Sequence, residues 1–192
     1  MKKKINLLII THNAERHYYF CNYLIENLDC NIKVILGAKK NRYQFTKIEK
    51  ILKKLKKNFY KNVYNFFINK IFFYFWKKFY NEKYIIENKF FYGCKEKFIK
   101  NYEQFVLTDI SKSKGYLNDN KYIEIIKEGK FDVIAVMGSV LVNSKIINSS
   151  SLILNLHTGL SPYYRGGNTN CWPIIKKEYG AFGATIHKMS QG

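Results

Sequence analysis

The sequence predicts an α/β fold with a Rossmann-like, mostly parallel sheet and flanking helices. The first observation is a continuous apolar run at residues 5–11 (INLLIIT), which is typical of a strand buried on both faces. The second is helical periodicity over residues 14–28, followed by another apolar run at residues 31–36 (NIKVIL). Strand, helix and strand within about 30 residues form the beginning of a parallel α/β sheet.

The same alternation returns in the second half of the chain. Residues 131–137 (FDVIAVM) and 151–156 (SLILNL) predict two more buried strands. The remaining predicted elements are a strand at residues 105–108, helices at residues 118–128, 142–147 and 171–178, and a last strand at residues 184–189. The elements predict a single domain over residues 1–192, a length that one hydrophobic core can support.

Composition excludes several classes of protein. With 47% hydrophobic residues the chain is not a disordered tail. The apolar run after the basic start is short and contains Asn6, so it does not predict a secretory signal. The charge-free aromatic stretch at residues 71–76 is far shorter than the roughly 20 residues of a membrane span. The four cysteines form no CxxC pair, so we expect a cytoplasmic protein with reduced thiols and no metal site.

Residues 39–105 are predicted to be a basic, aromatic-rich helical insertion within this domain. The net charge of the chain is +19, and residues 39–100 hold 18 Lys and Arg against 4 Asp and Glu. Over residues 62–80 apolar side chains recur at helical spacing, and lysines fall on the opposite half of the helix. The apolar positions are Tyr64, Ile68, Ile71, Phe75 and Phe79, and the lysines are Lys70, Lys77 and Lys78.

Three explanations of this helix stay open. Its apolar face packs against the sheet or a partner, or it lies on an anionic membrane surface, or its charge reflects only the Lys- and Asn-rich composition that AT-rich coding produces. Interleaved lysines and aromatics also suit nucleic acid. No recognition motif accompanies them, so no specific nucleic-acid partner is predicted.

Polar residues follow two of the predicted strands at their carboxyl ends, where open α/β sheets bind ligands. Asn155 and His157 close the strand at residues 151–156, and their side chains leave an extended chain on the same face because they are two residues apart. A Gly-, Pro- and Arg-bearing loop follows at residues 158–167. The strand before it ends in a short segment, Met137, Gly138, Ser139, Val140 and Leu141.

Residues 155–166 (NLHTGLSPYYRG) resemble the Asn-x-His-x-(small)-Leu-x-Pro-x-(aromatic)-(basic)-Gly signature of the 10-formyltetrahydrofolate-dependent formyltransferases. That family includes the glycinamide ribonucleotide, methionyl-tRNA and nucleotide-sugar N-formyltransferases. Residues 183–187 (GATIH) are similar to its Gly-x-Thr-x-His strand. The resemblance covers residues 131–192 and extends in weaker form to residues 1–38.

The resemblance implies transfer of a formyl group from 10-formyltetrahydrofolate to a primary amine. Asn155 and His157 would be the catalytic pair that stabilises the developing oxyanion. The donor would bind at Gly138, Ser139, Val140 and Leu141. The amine substrate would contact Thr11, Tyr164, Arg165, Gly166 and Asn168.

The family also places an aspartate shortly after its Gly-x-Thr-x-His strand, and this sequence has no acidic residue after Glu178. We therefore expect a truncated form of the domain that is incomplete at its C-terminus and has almost no catalytic activity. The alternatives are an inactive folate- or nucleotide-binding module and a membrane-surface protein that uses the basic helix.

The loop residues around Tyr163 and Trp172 resemble the sugar-modifying branch of the family more than its purine-pathway branch. This resemblance implies a small-molecule amine such as a nucleotide-linked amino sugar. The sequence leaves the amine and the oligomeric state open.

Overall fold

The computed structural model describes residues 3–37, 59–113, 115–167 and 169–190. In the helix that begins at residue 59, side chains are described at residues 70, 71, 74, 75, 77 and 78 and from residue 81 onwards. The chain divides into two compact units, one formed by residues 1–40 and 93–192 and the other by residues 41–92.

The first unit contains a six-stranded sheet in the order β3-β2-β1-β4-β5-β6. The strands are β1 (Asn6–Thr11), β2 (Asn31–Leu36), β3 (Val106–Asp109), β4 (Val133–Met137), β5 (Leu152–His157) and β6 (Thr185–Lys188). All neighbouring strands are parallel except β5 and β6, which are antiparallel. This arrangement confirms the predicted α/β fold with a mostly parallel sheet.

Helices flank both faces of the sheet. They are α1 (Glu15–Asn27), α3 (Cys94–Ile99), α4 (Tyr102–Phe105), α5 (Asn120–Glu128), α6 (Ser144–Ile147) and α7 (Cys171–Ile175), with 3₁₀ turns at Ile110–Lys112 and Tyr179–Ala181. Helix α7 is shorter than the predicted helix 171–178, because Lys177 adopts a left-handed φ of 58° that an α-helix cannot contain.

Two apolar clusters form the core, one on each face of the sheet. On one face Leu8 and Ile10 of β1 meet Ile123 and Ile126 of α5. Leu7 and Ile9 alternate with these residues along β1 and therefore lie on the other face. There they belong to one apolar cluster with Tyr18 and Cys21 of α1 and Phe98 of α3. Every residue of β1 after Asn6 is buried, as expected for the central strand of a sheet covered on both faces.

The second unit contains a long helix, α2 (Phe59–Phe90), that extends beyond the predicted helix at both ends. Ile71 and Phe75, two members of the apolar face that the sequence predicts to be buried or contacted, are 54% and 63% exposed. Tyr64, Ile68 and Phe79 lie outside the described side chains. Lys70, Lys77 and Lys78 are exposed as well. No helix in the described part of the chain is long and apolar enough to cross a membrane.

Candidate active site

The sheet register brings the two predicted polar segments to the same edge. Val136 pairs with Asn155 and Met137 pairs with Leu156, so parallel strands β4 and β5 end at the same level. The segment that begins at Gly138 therefore leaves the sheet beside His157. Asn155 falls on the same face as Val136 and Ile153, which belong to the cluster covered by α5 and α6.

Asn155 is held by a histidine from the neighbouring strand. In the antiparallel β5–β6 pair Asn155 lies opposite His187, and its Nδ2 lies 3.1 Å from His187 Nε2. His187 Nδ1 lies 3.2 Å from the carbonyl oxygen of Lys188, which can only accept. Nδ1 therefore carries the proton and Nε2 accepts from the amide of Asn155. This bond fixes the orientation of the Asn155 amide and leaves its second N–H available.

His157 is positioned by the loop that follows it. Its Nε2 lies 3.2 Å from the carbonyl oxygen of Tyr164, so Nε2 is the donor. In the neutral ring Nδ1 then carries a lone pair that can take up a proton. The rings of His157 and His187 are arranged edge to face, with their centres 6.4 Å apart.

Hydrogen bonds tie this loop to β6. The Ser161 N–H donates to Thr185 Oγ1 over 3.0 Å, and the Thr185 hydroxyl donates to Gly159 O over 2.9 Å. The buried hydroxyl of Thr169 donates to the carbonyl of Thr158 and closes the loop. Thr185 thus holds the loop and His187 holds Asn155, so β6 connects the two halves of the candidate site.

The predicted amine-binding residues lie in different surroundings. Tyr164 is buried, and its hydroxyl donates to Glu178, which raises the pKa of Tyr164. Arg165 is exposed and its Nε donates to Pro162 O over 3.2 Å. Gly166 adopts a φ of +92°, a conformation that favours glycine. Asn168 lies outside the described residues.

A groove of about 400 Å³ opens beside this loop. It is lined by Leu160, Tyr163, Tyr164, Lys176, Glu178, Gly180 and Ala181. Tyr163 is 80% exposed, and the Lys176 ammonium lies 5.5 Å from the centre of the Tyr164 ring. The groove therefore combines an accessible aromatic face with a cation next to the loop that orients His157.

The predicted donor-binding turn is exposed at its tip. Gly138 adopts a φ of +68°, and Leu141 is 92% exposed. The Ser139 hydroxyl donates to Val140 O over 2.6 Å, and Asn118 Nδ2 donates to Leu141 O over 2.8 Å. Val140 is half-buried and packs against the core. Hydrogen bonds thus hold the turn in place, and the turn exposes the apolar side chain of Leu141 to solvent.

Thr11 does not lie where a substrate could contact it. Its side chain is fully buried, and its hydroxyl bonds Met137 O at 2.9 Å and His17 Nδ1 at 2.7 Å. Sequence reasoning did not single out His17, because a histidine on a helix carries no signal of its tertiary contacts. Among the described residues, no cluster of His, Cys, Asp and Glu could hold a metal ion.

Comparison with known proteins supports the fold. No family model matches the chain, and no curated protein matches it. A solved sugar N-formyltransferase from Shewanella sp FDAARGOS_354 is similar in structure, with a TM-score of 0.51 and 16% identity over 98% of this chain and 52% of that one. This chain therefore spans about half the length of that enzyme.

Two further solved structures are similar. Glycinamide ribonucleotide transformylase 1 from Symbiobacterium toebii gives a TM-score of 0.52 and 12% identity over 100% of this chain and 69% of that one. Phosphoribosylglycinamide formyltransferase from Bacillus Halodurans gives a TM-score of 0.51 and 14% identity over 97% of this chain and 73% of that one. The chain thus resembles formyltransferases in fold, as its motifs predict.

Proposed function

We propose that this chain binds a formyl donor of the 10-formyltetrahydrofolate type and contributes to formyl transfer onto a primary amine. The observation that carries the proposal is the pair Asn155 and His157 at the end of β5, beside the turn after β4, with the Asn155 amide oriented by His187. The formyltransferase fold and the two sequence motifs agree with this site.

The residues of the turn fit such a donor. A folate is a flat ring system with polar edges, and the turn presents the exposed Leu141 side chain beside backbone groups at the ligand edge of the sheet. Bound there, the donor would supply the formyl carbon that the amine attacks.

The site residues divide the work of the transfer. The second N–H of Asn155 stabilises the formyl oxygen as it gains negative charge, and one such donor typically contributes ~10²–10³ in rate. His157 Nδ1 either takes up the proton that the amine loses or, when protonated, adds positive charge near that oxygen. The proton that the amine gives up balances the one that the departing donor nitrogen takes.

For the amine we propose a nucleotide-linked amino sugar. The groove beside Tyr164 supports this choice, because the exposed ring of Tyr163 suits stacking with a base and Lys176 suits a phosphate. The sugar N-formyltransferase with the same fold acts on a sugar by its name. Tyr164 and Arg165 would orient this substrate.

The first experiment measures binding of 5-formyltetrahydrofolate, a stable folate, by calorimetry. A formyl-transfer assay with 10-formyltetrahydrofolate and a panel of amino-sugar nucleotides follows. We expect Asn155→Ala to retain folate binding and to lower kcat by roughly 10²–10³. Asn31→Ala is the matched control, because Asn31 begins β2 at the opposite edge of the sheet. A wild-type chain that binds no folate would refute the proposed function, and one that binds folate without transfer would support the inactive binding module.

A further inference from the structure

The order of the strands reverses at the crevice between β1 and β4. The chain runs from β1 to β2 and β3 on one side and returns to β4 and β5 on the other side. Ligands of open α/β sheets bind at this reversal of strand order. Here the crevice holds two buried residues, Thr11 and His17, which are 0% and 1% exposed.

The hydrogen bonds of these residues form a series in which each group donates to the next, from Arg16 through His17 and Thr11 to Met137. Thr11 Oγ1 donates to Met137 O over 2.9 Å, and a hydroxyl has one proton to give. His17 Nδ1, which lies 2.7 Å from the same oxygen, must therefore donate its own proton to it. Arg16 Nε donates to His17 Nε2 over 3.2 Å, which agrees with an unprotonated Nε2. Both results give a neutral imidazole protonated at Nδ1.

The same ring supports the turn after β4. A Cβ atom built on Gly138 would lie 2.4 Å from His17 Cε1, so the imidazole is packed directly under the Gly138 backbone. Met137 O, which accepts from Thr11, belongs to the residue just before this glycine. The conformation of the turn is thus set by one hydrogen bond and one close contact from the same pair of side chains.

We propose that His17 and Thr11 are positioning residues, and that the Arg16–His17–Thr11–Met137 hydrogen-bond chain holds the turn of residues 138–141 in the shape that binds the donor. The identity of the ligand rests on the proposed function, whereas the hydrogen-bond chain does not. Neither side chain touches the ligand, since both are buried beneath the turn.

The test compares three substitutions in the full chain, and a fourth, His17→Gln, serves only to assign NMR signals. Thr11→Val removes the hydroxyl with little change of volume, and Thr11→Ser restores it. Thr108→Val is the matched control, because Thr108 lies on edge strand β3. Thermal unfolding shows that each variant is folded before other measurements are compared.

NMR gives the first readout. ¹⁵N spectra of the imidazoles at pH 7 should show His17 protonated at Nδ1, with the signals assigned from a His17→Gln variant. Thr11→Val should shift the backbone amides of Gly138 and Ser139, while Thr11→Ser and Thr108→Val leave them near their wild-type positions. A His17 ring protonated at Nε2, or turn amides unmoved in Thr11→Val, would overturn the proposal.

Binding of 5-formyltetrahydrofolate gives the second readout. We expect Thr11→Val to weaken the affinity about tenfold, the effect of one lost buried hydrogen bond, and Thr11→Ser to recover it. Equal affinities for Thr11→Val and wild type would contradict the positioning role. If the wild-type chain binds no folate, the proposed function fails, and the NMR results still decide whether the hydrogen-bond chain sets the turn.

Discussion

At Gly138 the backbone has a φ of +68°, and the ring of His17 occupies the space where a side chain would begin. An alanine at this position would destabilise the fold for two reasons. A left-handed conformation costs a non-glycine residue roughly 1–3 kcal/mol, and the contact with His17 forces a shift that typically costs another 1–3 kcal/mol. We therefore expect Gly138→Ala to destabilise the fold more than the same substitution at a glycine that also has a positive φ but has no atom close to its Cβ position.

Gly166 provides the comparison. Its φ is +92°, and nothing lies within 4 Å of a Cβ built on it. Urea unfolding of Gly138→Ala, Gly166→Ala and wild type measures the three free energies of unfolding. The loss should be larger at Gly138, and His17→Ala should reduce it in a double-variant cycle. Equal losses at the two glycines would show that His17 does not restrain the turn.

Tyr18 and Cys21 of helix α1 are titratable side chains that lie in the same apolar cluster. Burial raises the pKa of Tyr18 from its ordinary value of 10.0 to about 12, and the carboxylates of Asp109 and Glu15 add to this effect. Burial also raises the pKa of the Cys21 thiol from 9.0 to about 12. The folded state thus holds both protons more tightly than the unfolded state. The part of the folding stability that these two protonated groups contribute is complete below about pH 9, the ordinary pKa of the thiol, and is lost as the pH rises towards 12.

Urea unfolding at pH 8 and pH 11 measures this loss. Tyr18→Phe should show a smaller difference between the two pH values than the wild type, because it removes one of the two groups. Tyr19→Phe is the control, since the neighbouring Tyr19 is 49% exposed. A pH dependence equal in Tyr18→Phe and wild type would show that the Tyr18 hydroxyl does not contribute.

Helix α2 carries exposed apolar side chains together with exposed lysines. Ile71, Tyr74 and Phe75 are more than half exposed, and Lys77 and Lys78 follow them. Exposed apolar and basic side chains together are what the membrane-surface explanation of this helix requires, and sedimentation with vesicles tests that explanation. We expect the chain to sediment with vesicles of anionic lipid at low salt and to be released by high salt. Reversing both lysines to glutamate should abolish the retention, and equal retention on neutral vesicles would refute an electrostatic contact.

On the scale of the whole molecule, the boundary of the inserted region can be tested by deletion. The described members of both core clusters lie in residues 7–36 and 94–189. Replacing residues 41–92 with a flexible Gly/Ser linker should therefore leave cooperative unfolding of the first unit intact. Replacing the whole predicted insertion, residues 39–105, also removes Phe98, which is 1% exposed and packs against Tyr18 with ring centres 5.3 Å apart.

The two deletions give opposite expectations. Loss of a buried phenylalanine typically costs about 3–5 kcal/mol, and the second deletion also removes Tyr102 and part of the cover of β2. Circular dichroism during thermal unfolding should show a clear transition for the shorter deletion and a strongly lowered or absent one for the longer. Similar transitions for both would favour the wider insertion.

The sequence by itself determined the sheet, and it predicts the place of the candidate site. Apolar runs predict strands, so β1, β2, β4 and β5 follow from local pattern, and the turns after β4 and β5 follow from where those runs stop. Burial of consecutive residues along the whole strand, which the runs also predict, occurs in β1, whereas β5 is mostly half-buried. The motif that contains Asn155 and His157 marks the ligand edge for the same reason. These features depend on residues close together in the chain.

Only the tertiary structure decided which distant residues meet. His187 lies 32 residues after Asn155, and the antiparallel register of β5 and β6 places them opposite each other. Thr11, predicted to contact substrate, is instead buried against His17 beneath Gly138, because β1 is the central strand of the sheet. Periodicity identified the apolar face of α2 but not whether anything covers Ile71 and Phe75. Burial and hydrogen-bond partners depend on which strands and helices become neighbours, and that information is not local.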